Sequence, residues 1–140
     1  MNEYTLNTIS VGTHESFKVK MTDDMQKSFM RITDDVNPMH IDQNYAESNG
    51  FDDKIVYGML TASFYSTLVG VYLPGKYCLL QECDVSFSKP VYTGDVLTVF
   101  GEVVDIHEAF KRINIKASIK NQDGKKVSKA KIVAGIIGDE

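Results

Sequence analysis

The chain has 140 residues, of which 43% are hydrophobic and 24% are charged, and its formal net charge is −4 at pH 7. This length suits a single domain, residues 1–140, that can bury a substantial core. The acidic balance argues against a generic nucleic-acid-binding protein, which usually presents a basic face. The first ten residues contain an acidic side chain, no basic cluster and no apolar core, so they predict no signal peptide.

The N-terminal part of the chain predicts a strand followed by a helix. Residues 15–22 alternate between apolar and polar side chains, which is the pattern of a half-buried strand. Thr22 precedes two aspartates, and a threonine followed by acidic residues is typical of a helix start. Met25, Phe29 and Ile32 follow at near-helical spacing, so we expect them to form the core-facing side of that helix.

Two more helices are predicted before the middle of the chain. Asp42 is placed to cap a short helix, which an Asn-Gly pair ends. The run between Lys54 and Lys76 then contains no charged residue. A membrane-spanning helix needs about 20 predominantly apolar residues, and serine, threonine, glycine and proline dilute this run. It therefore predicts a central buried helix over residues 57–72 rather than a membrane span.

The C-terminal half predicts antiparallel strands, over residues 76–91, 96–106, 112–120 and around 130–134. The clearest alternation is in 112–120, where isoleucines and an alanine face one side and polar residues face the other. An Asp-Gly pair predicts a hairpin turn before the last strand. Together the elements predict an α+β fold, in which an antiparallel sheet wraps around one long apolar helix.

The only two cysteines, Cys78 and Cys83, match no common zinc spacing. If they share a strand, their odd offset points them to opposite faces, where they cannot pair. We expect two buried free thiols, as in proteins of the reducing cytoplasm. The sequence also contains no metal-ligand cluster and no glycine-rich nucleotide loop.

Three blocks of sequence resemble a known family. They are DVNPMHID at 35–42, IVYGMLTAS at 55–63 and VSFSKPVYTGDVL at 85–97. In this order and spacing they resemble the MaoC-like family of (R)-specific enoyl-CoA hydratases, over about residues 11–137. The resemblance implies a single hot-dog domain, a homodimer with sites at its interface, and reversible hydration of trans-2-enoyl thioesters to (R)-3-hydroxyacyl thioesters. It implies a substrate carried by coenzyme A or an acyl carrier protein, and no metal or redox cofactor. The net charge and the diluted apolar run predict that neither nucleic acid nor a membrane is a partner.

Hydration of such a thioester needs a base for water, an acid for C2 and a donor for the thioester oxygen. His40 is the expected base, because an unperturbed imidazole titrates at about pH 6.5 and is largely neutral at pH 7. The resemblance makes Asp35 its catalytic partner around one water. A free carboxyl group is ionised at pH 7, so Asp35 is either buried enough to donate a proton or stays ionised and holds the water. His14 and His107 lack such company, and we expect both at the surface.

Three further residues are candidates for binding the substrate. Gly58 begins the apolar helix, where free amides favour an oxyanion, although a glycine required only for tight packing is the alternative. Ser63 matches the family's serine near the dyad, or it bonds to the carbonyl four residues earlier. Asn37 forms the turn, and it either also orients the dyad or does nothing more.

One residue departs from the family. The family usually has histidine before the glycine of the second block, and this chain has Tyr57, which leaves the shape of the pocket open. Lys89, Lys111 and Arg112 either meet phosphates of the substrate or lie on a solvated strand edge. Two other functions stay open: a hot-dog thioesterase, and a non-catalytic acyl-thioester-binding protein, which Tyr57 alone favours.

Overall fold

The computed structural model describes residues 1–138, which form five strands and four α-helices. The strands are β1 (His14–Lys20), β2 (Cys78–Phe87), β3 (Val96–His107), β4 (Arg112–Lys120) and β5 (Lys126–Ile136). The helices are α1 (Asp23–Thr33), α2 (Pro38–Ile41), α3 (Gln43–Ser48) and α4 (Gly58–Thr67), and α4 continues as one turn of π-helix, Leu68–Tyr72.

The five strands form one antiparallel sheet in the order β1-β3-β4-β5-β2. The alternation predicted for β4 and β5 is confirmed, because their inward side chains are all buried. These are Ile113, Ile115, Ala117 and Ile119 on β4, and Ala130, Ile132 and Ala134 on β5. They share one core with buried residues of α4 and its π-turn, as the predicted α+β architecture requires.

Helix α1 begins as predicted but buries a different set of residues. The hydroxyl oxygen of Thr22 accepts a hydrogen bond from the Met25 amide, at 3.2 Å. Met25 and Phe29 pack against the core, but Ile32 is 80% exposed, so the prediction of a core role for Ile32 was wrong. Ile32 lies in the last turn, next to the exposed residues 34–37, where no other part of the described chain covers it.

Helix α4 and its π-turn were predicted to be buried all round, and that prediction was wrong for one face. Met59, Ser63 and Ser66 recur at helical spacing and are all exposed. The edge strand β2 is also largely exposed and includes Leu79 and Phe87. Helix and edge strand thus carry exposed apolar surface in the single chain. Within residues 1–138, no helix has the length and apolarity needed to cross a membrane.

The two cysteines share β2, but a β-bulge at Gln81 changes their relation. Cys78 lies opposite Ile136 and Cys83 opposite Ile132, so both point to the same side of the sheet, contrary to the prediction. Cys78 is half-buried, which raises its pKa to about 11, and Cys83 is exposed, so the expectation of two buried thiols was also wrong. They stay unpaired, because four strand residues separate them by about 13 Å.

Candidate active site

The Asp35–His40 segment, called the loop below, runs from the end of α1 into α2 and is held by a series of local hydrogen bonds. Asp34 has a left-handed backbone (φ 56°) and ends α1. The Asp35 carboxylate accepts the Asn37 amide at 3.1 Å, and the Asn37 side-chain oxygen accepts the Met39 amide at 2.9 Å. Asn37 is therefore the N-cap of α2, which confirms the prediction that it forms the turn.

His40 is held by one ring nitrogen. Its Nδ1 lies 2.9 Å from the backbone carbonyl oxygen of Ile55. A carbonyl oxygen only accepts hydrogen bonds, so Nδ1 must carry a proton, and in the neutral imidazole the lone pair therefore lies on Nε2. The half-buried imidazole is thereby oriented with a basic nitrogen free to accept a proton. His14 is exposed and His107 lies beside Asp105 at the surface, as predicted.

Tyr57 contacts the imidazole of His40 and the backbone of Asp35. Its ring centroid is 4.0 Å from that of His40 at an interplanar angle of 30°, and its hydroxyl donates a hydrogen bond to the backbone carbonyl of Asp35. Tyr57 is 2% exposed. Burial, together with the charge of Asp35, raises the pKa of the phenol, which keeps it protonated as a donor. The sequence analysis noted only that Tyr57 replaces the family's usual histidine and leaves the shape of the pocket open. In the structure Tyr57 contacts residues of the loop.

Gln26 is a buried residue that the sequence did not single out. It is 4% exposed, and its amide nitrogen donates to the carbonyls of His40 (3.2 Å) and Ile55 (3.0 Å). Its amide oxygen accepts the Tyr57 backbone amide at 3.2 Å. The available signal was its position one turn before Phe29, which puts a polar side chain on the buried side of α1.

The start of α4 provides two backbone amides. Among residues 1–138, neither the Gly58 nor the Met59 amide has a hydrogen-bond acceptor, and both lie at the positive end of the helix dipole. A cavity of about 280 Å³ opens beside Gly58. It is lined mainly by apolar side chains, including those of Phe51, Ile55, Val56, Phe87, Pro90 and Val91. A methyl group built on Gly58 would lie 3.2 Å from the Phe87 ring, so the glycine also meets a packing constraint.

Ser63 and Asp35 do not have the surroundings that the sequence suggested. Ser63 lies on the exposed side of α4, and its hydroxyl donates a hydrogen bond to the Leu60 carbonyl at 2.6 Å. The alternative prediction was a bond of this kind to the carbonyl four residues earlier, and the observed acceptor is three residues earlier. Asp35 is exposed, so the apolar helix of its own chain does not bury it. The structure thus places the Asp35 backbone carbonyl and the His40 ring each against Tyr57, and it leaves Ser63 without a hydrogen bond to Asp35 or His40.

The three basic residues separate into two groups. Lys89 lines the cavity beside Gly58. Lys111 and Arg112 lie instead at the turn between β3 and β4, where Arg112 stacks on Phe110 at 5.0 Å, which fits the solvated strand edge. A larger depression of about 970 Å³ lies on the outer sheet face, lined by lysines and carboxylates and by neither candidate catalytic side chain.

Comparisons of the sequence with known proteins identify the family of this chain. Residues 7–125 match the family model described as MaoC like domain. The (R)-specific enoyl-CoA hydratase of Aeromonas caviae is 36% identical over 97 residues, which are 69% of this chain and 72% of that protein. A mitochondrial 3-hydroxyacyl-acyl-carrier-protein dehydratase of Solanum lycopersicum is 30% identical over 114 residues, which are 81% of this chain and 68% of that protein.

Solved structures give the same result for the fold. The (R)-hydratase of A. caviae involved in PHA biosynthesis matches with a TM-score of 0.88 and 29% identity, covering 92% of this chain and 98% of that chain. The unliganded R-hydratase PhaJ1 of Pseudomonas aeruginosa also matches with a TM-score of 0.88, at 26% identity over 94% of this chain and 84% of that one. The chain therefore belongs to the MaoC-like domain family and has the hot-dog fold of these hydratases.

Proposed function

We propose that this protein catalyses the reversible hydration of trans-2-enoyl thioesters to (R)-3-hydroxyacyl thioesters. The observation that carries the proposal is the hydrogen bond from His40 Nδ1 to the Ile55 carbonyl, which makes Nε2 the basic nitrogen of the neutral ring, in the same segment as the Asp35 carboxylate. A basic nitrogen and a carboxylate on one loop are the groups needed to hold and deprotonate a water. The hydratase and dehydratase relatives support the same reaction class.

In the proposed reaction, His40 Nε2 accepts a proton from water while the water oxygen bonds to C3. The electrons of the C2–C3 double bond move toward the thioester, whose oxygen becomes negative. The proton on His40 is then delivered to C2 on the same face, so the net change is addition of one water. Asp35 is not buried by its own chain, so we assign it the role of holding the water rather than the role of acid.

The negative thioester oxygen needs hydrogen-bond donors, and we assign this role to the Gly58 amide. It lies at the N-terminus of α4 without an acceptor in the described chain, and Met59 offers a second amide next to it. Ser63 follows on the exposed side of the same helix, and its oxygen can still accept a hydrogen bond from substrate. Asn37 keeps Asp35 and His40 at a fixed spacing by capping α2.

The proposed substrate is an acyl thioester of coenzyme A or of an acyl carrier protein, and no further cofactor takes part. The apolar cavity beside Gly58 is next to the proposed oxyanion donor, and Lys89 at its margin offers a positive charge. The apolar lining suits an acyl chain, and the positive charge of Lys89 suits a phosphate group of the carrier.

We further propose that the protein acts as a homodimer. The β2 edge is unpaired on one side, and the adjacent exposed face of α4 carries Met59. A second copy that covers these surfaces would bury apolar groups and satisfy edge-strand hydrogen bonds. Size-exclusion chromatography with light scattering tests this, and a monomer at micromolar concentration would contradict it.

The test of function is the loss of enoyl-thioester absorbance when the purified protein is mixed with crotonyl-CoA. Asp35→Asn and His40→Ala should each abolish turnover while the proteins stay folded, and His14→Ala should not change it. Release of free thiol in the same assay would indicate the thioesterase instead. Binding of crotonyl-CoA without turnover, across several chain lengths and an acyl-carrier-protein substrate, would indicate a binding protein.

A further inference from the structure

We propose that Gln26 and Tyr57 are positioning residues that form a buried clamp on the catalytic loop. Tyr57 fixes the backbone at Asp35, and Gln26 fixes the backbone at His40 and at Ile55, which orients the imidazole. The inference rests on the proposed function, since it assigns these two residues to the same Asp35–His40 site. Neither residue transfers a proton in the proposed reaction, so both act through the groups that they hold.

Tyr57 provides the only hydrogen bond between residues 34–37 and a distant part of the described chain. The other hydrogen bonds of these residues are made within the segment from α1 to α2, such as Asp35 to Thr33 and Asn37 to Asp35. The Tyr57 hydroxyl donates to the Asp35 carbonyl across 22 positions of sequence. Because residues 34–37 are exposed, they have little packing that could replace this bond.

Gln26 uses its whole amide group to connect three backbone positions. Its two N–H groups meet the carbonyls of His40 and Ile55, and its oxygen meets the amide of Tyr57. The Ile55 carbonyl therefore receives both Gln26 and the His40 imidazole. A buried glutamine that satisfies three backbone groups on two segments keeps those segments in one relative position.

The two residues also contact each other, so the clamp is a single unit. The Tyr57 amide is bound by Gln26, while the Tyr57 ring packs against His40 and against Phe29 of α1 at 5.0 Å. Asp35 and His40 are thus held from one buried base that reaches from α1 to the start of α4. If the loop moves, the two catalytic groups lose their common geometry, and a misplacement of about 1 Å can cost about a hundredfold in rate.

The primary test is Tyr57→Phe, which removes the hydroxyl and keeps the ring. We expect kcat on crotonyl-CoA to fall about tenfold to a hundredfold with KM nearly unchanged, because the loop is loosened while the binding cavity is kept. Tyr65→Phe is the matched control. Tyr65 is 1% exposed and also uses its hydroxyl in one hydrogen bond, to Ser128, but it does not contact the loop. We expect this control to lower the melting temperature by a similar amount and to leave kcat unchanged.

A second variant tests the Gln26 half of the clamp. Gln26→Met keeps the approximate volume and removes all three hydrogen bonds. We expect kcat to fall and the His40 imidazole to lose its single Nδ1–H form, which the nitrogen chemical shifts of the ring report directly. Unchanged ring shifts and unchanged kcat in a folded Gln26→Met protein would overturn this half.

A readout without substrate separates the clamp from the proposed function. Backbone order parameters of residues 35–37 should fall from about 0.85 to below about 0.6 in Tyr57→Phe and should not change in Tyr65→Phe. If the unaltered protein fails to hydrate any enoyl thioester, the proposed function fails, and the order parameters still decide whether Tyr57 holds the loop. Unchanged order parameters in Tyr57→Phe, or equal losses of kcat in Tyr57→Phe and Tyr65→Phe, would overturn the clamp.

Discussion

Replacing Gly58 by alanine separates the two explanations for this glycine, oxyanion binding and tight packing. The added methyl carbon would lie 3.2 Å from Cε1 and 3.4 Å from Cδ1 of the Phe87 ring. Phe87 is 50% exposed, so its ring can move by a few tenths of an ångström. Overpacking typically costs about 1–3 kcal/mol, and this yielding contact belongs at the low end.

The helix gains from the same substitution. Alanine stabilises a position in the middle of a helix by about 0.5–1 kcal/mol over glycine, and at Gly58, the first residue of α4, this gain offsets part of the packing cost. We therefore expect Gly58→Ala to change the free energy of unfolding by less than about 1 kcal/mol. The activity should behave differently, because the methyl group occupies space beside the amide that the thioester oxygen must approach. We expect kcat/KM to fall about a hundredfold, in the range found when one oxyanion donor is lost.

Steady-state hydration of crotonyl-CoA, run beside urea unfolding, measures both quantities. Gly70→Ala is the control, because a methyl group built there meets no atom within 4 Å, and we expect its activity to be unchanged. If Gly58→Ala keeps full activity, the amide is not the oxyanion donor. If it loses stability by several kcal/mol and kcat/KM stays the same, the glycine serves packing alone.

Three further predictions concern stability and reactivity. The ammonium groups of Lys27 and Lys54 lower the pKa of Asp23, so the ionised carboxylate stabilises the folded protein. Urea unfolding should show that Asp23→Asn lowers the free energy of unfolding at pH 7, and this difference should vanish as the pH falls below the pKa of Asp23. The half-buried thiol of Cys78, with its pKa of about 11, should react with a disulfide reagent at pH 8 more slowly than exposed Cys83; equal rates would contradict this. Ile115→Ala, at a 1% exposed position, should lower the free energy of unfolding by about 2–5 kcal/mol.

Local patterns predicted the elements that are determined by local chemistry. The alternation of β4 was correct because Ile113 and Ile119 both face one core, and period-two spacing reports that directly. The caps at Thr22 and Asp42 were correct because each bond joins residues only three positions apart. The turn at Asn37-Pro38 was also predicted correctly, since it depends on adjacent residues, but residues 38–41 form α2, so His40 lies in a short helix rather than in an irregular loop.

Features that depend on distant segments were missed. Gln26 and Tyr57 are 31 positions apart, and nothing in either neighbourhood indicates that one amide meets the other. The exposed face of α4 was missed because the lack of charged residues predicts a buried helix. It does not predict that the helix's own chain covers every face. The bulge at Gln81 inserts one residue into β2, which reverses the side on which Cys83 was expected.

The adjacency of Tyr57 and Gly58 couples the clamp to the proposed oxyanion donor through covalent bonds. Their Cα atoms are about 3.8 Å apart, a distance fixed by a trans peptide unit rather than by packing. When α4 tilts or slides against the sheet, the residue beneath His40 and the amide of Gly58 move by the same amount. Amino-acid changes in the sheet can therefore reshape the core and alter the melting temperature while the spacing between the catalytic loop and the start of α4 is preserved.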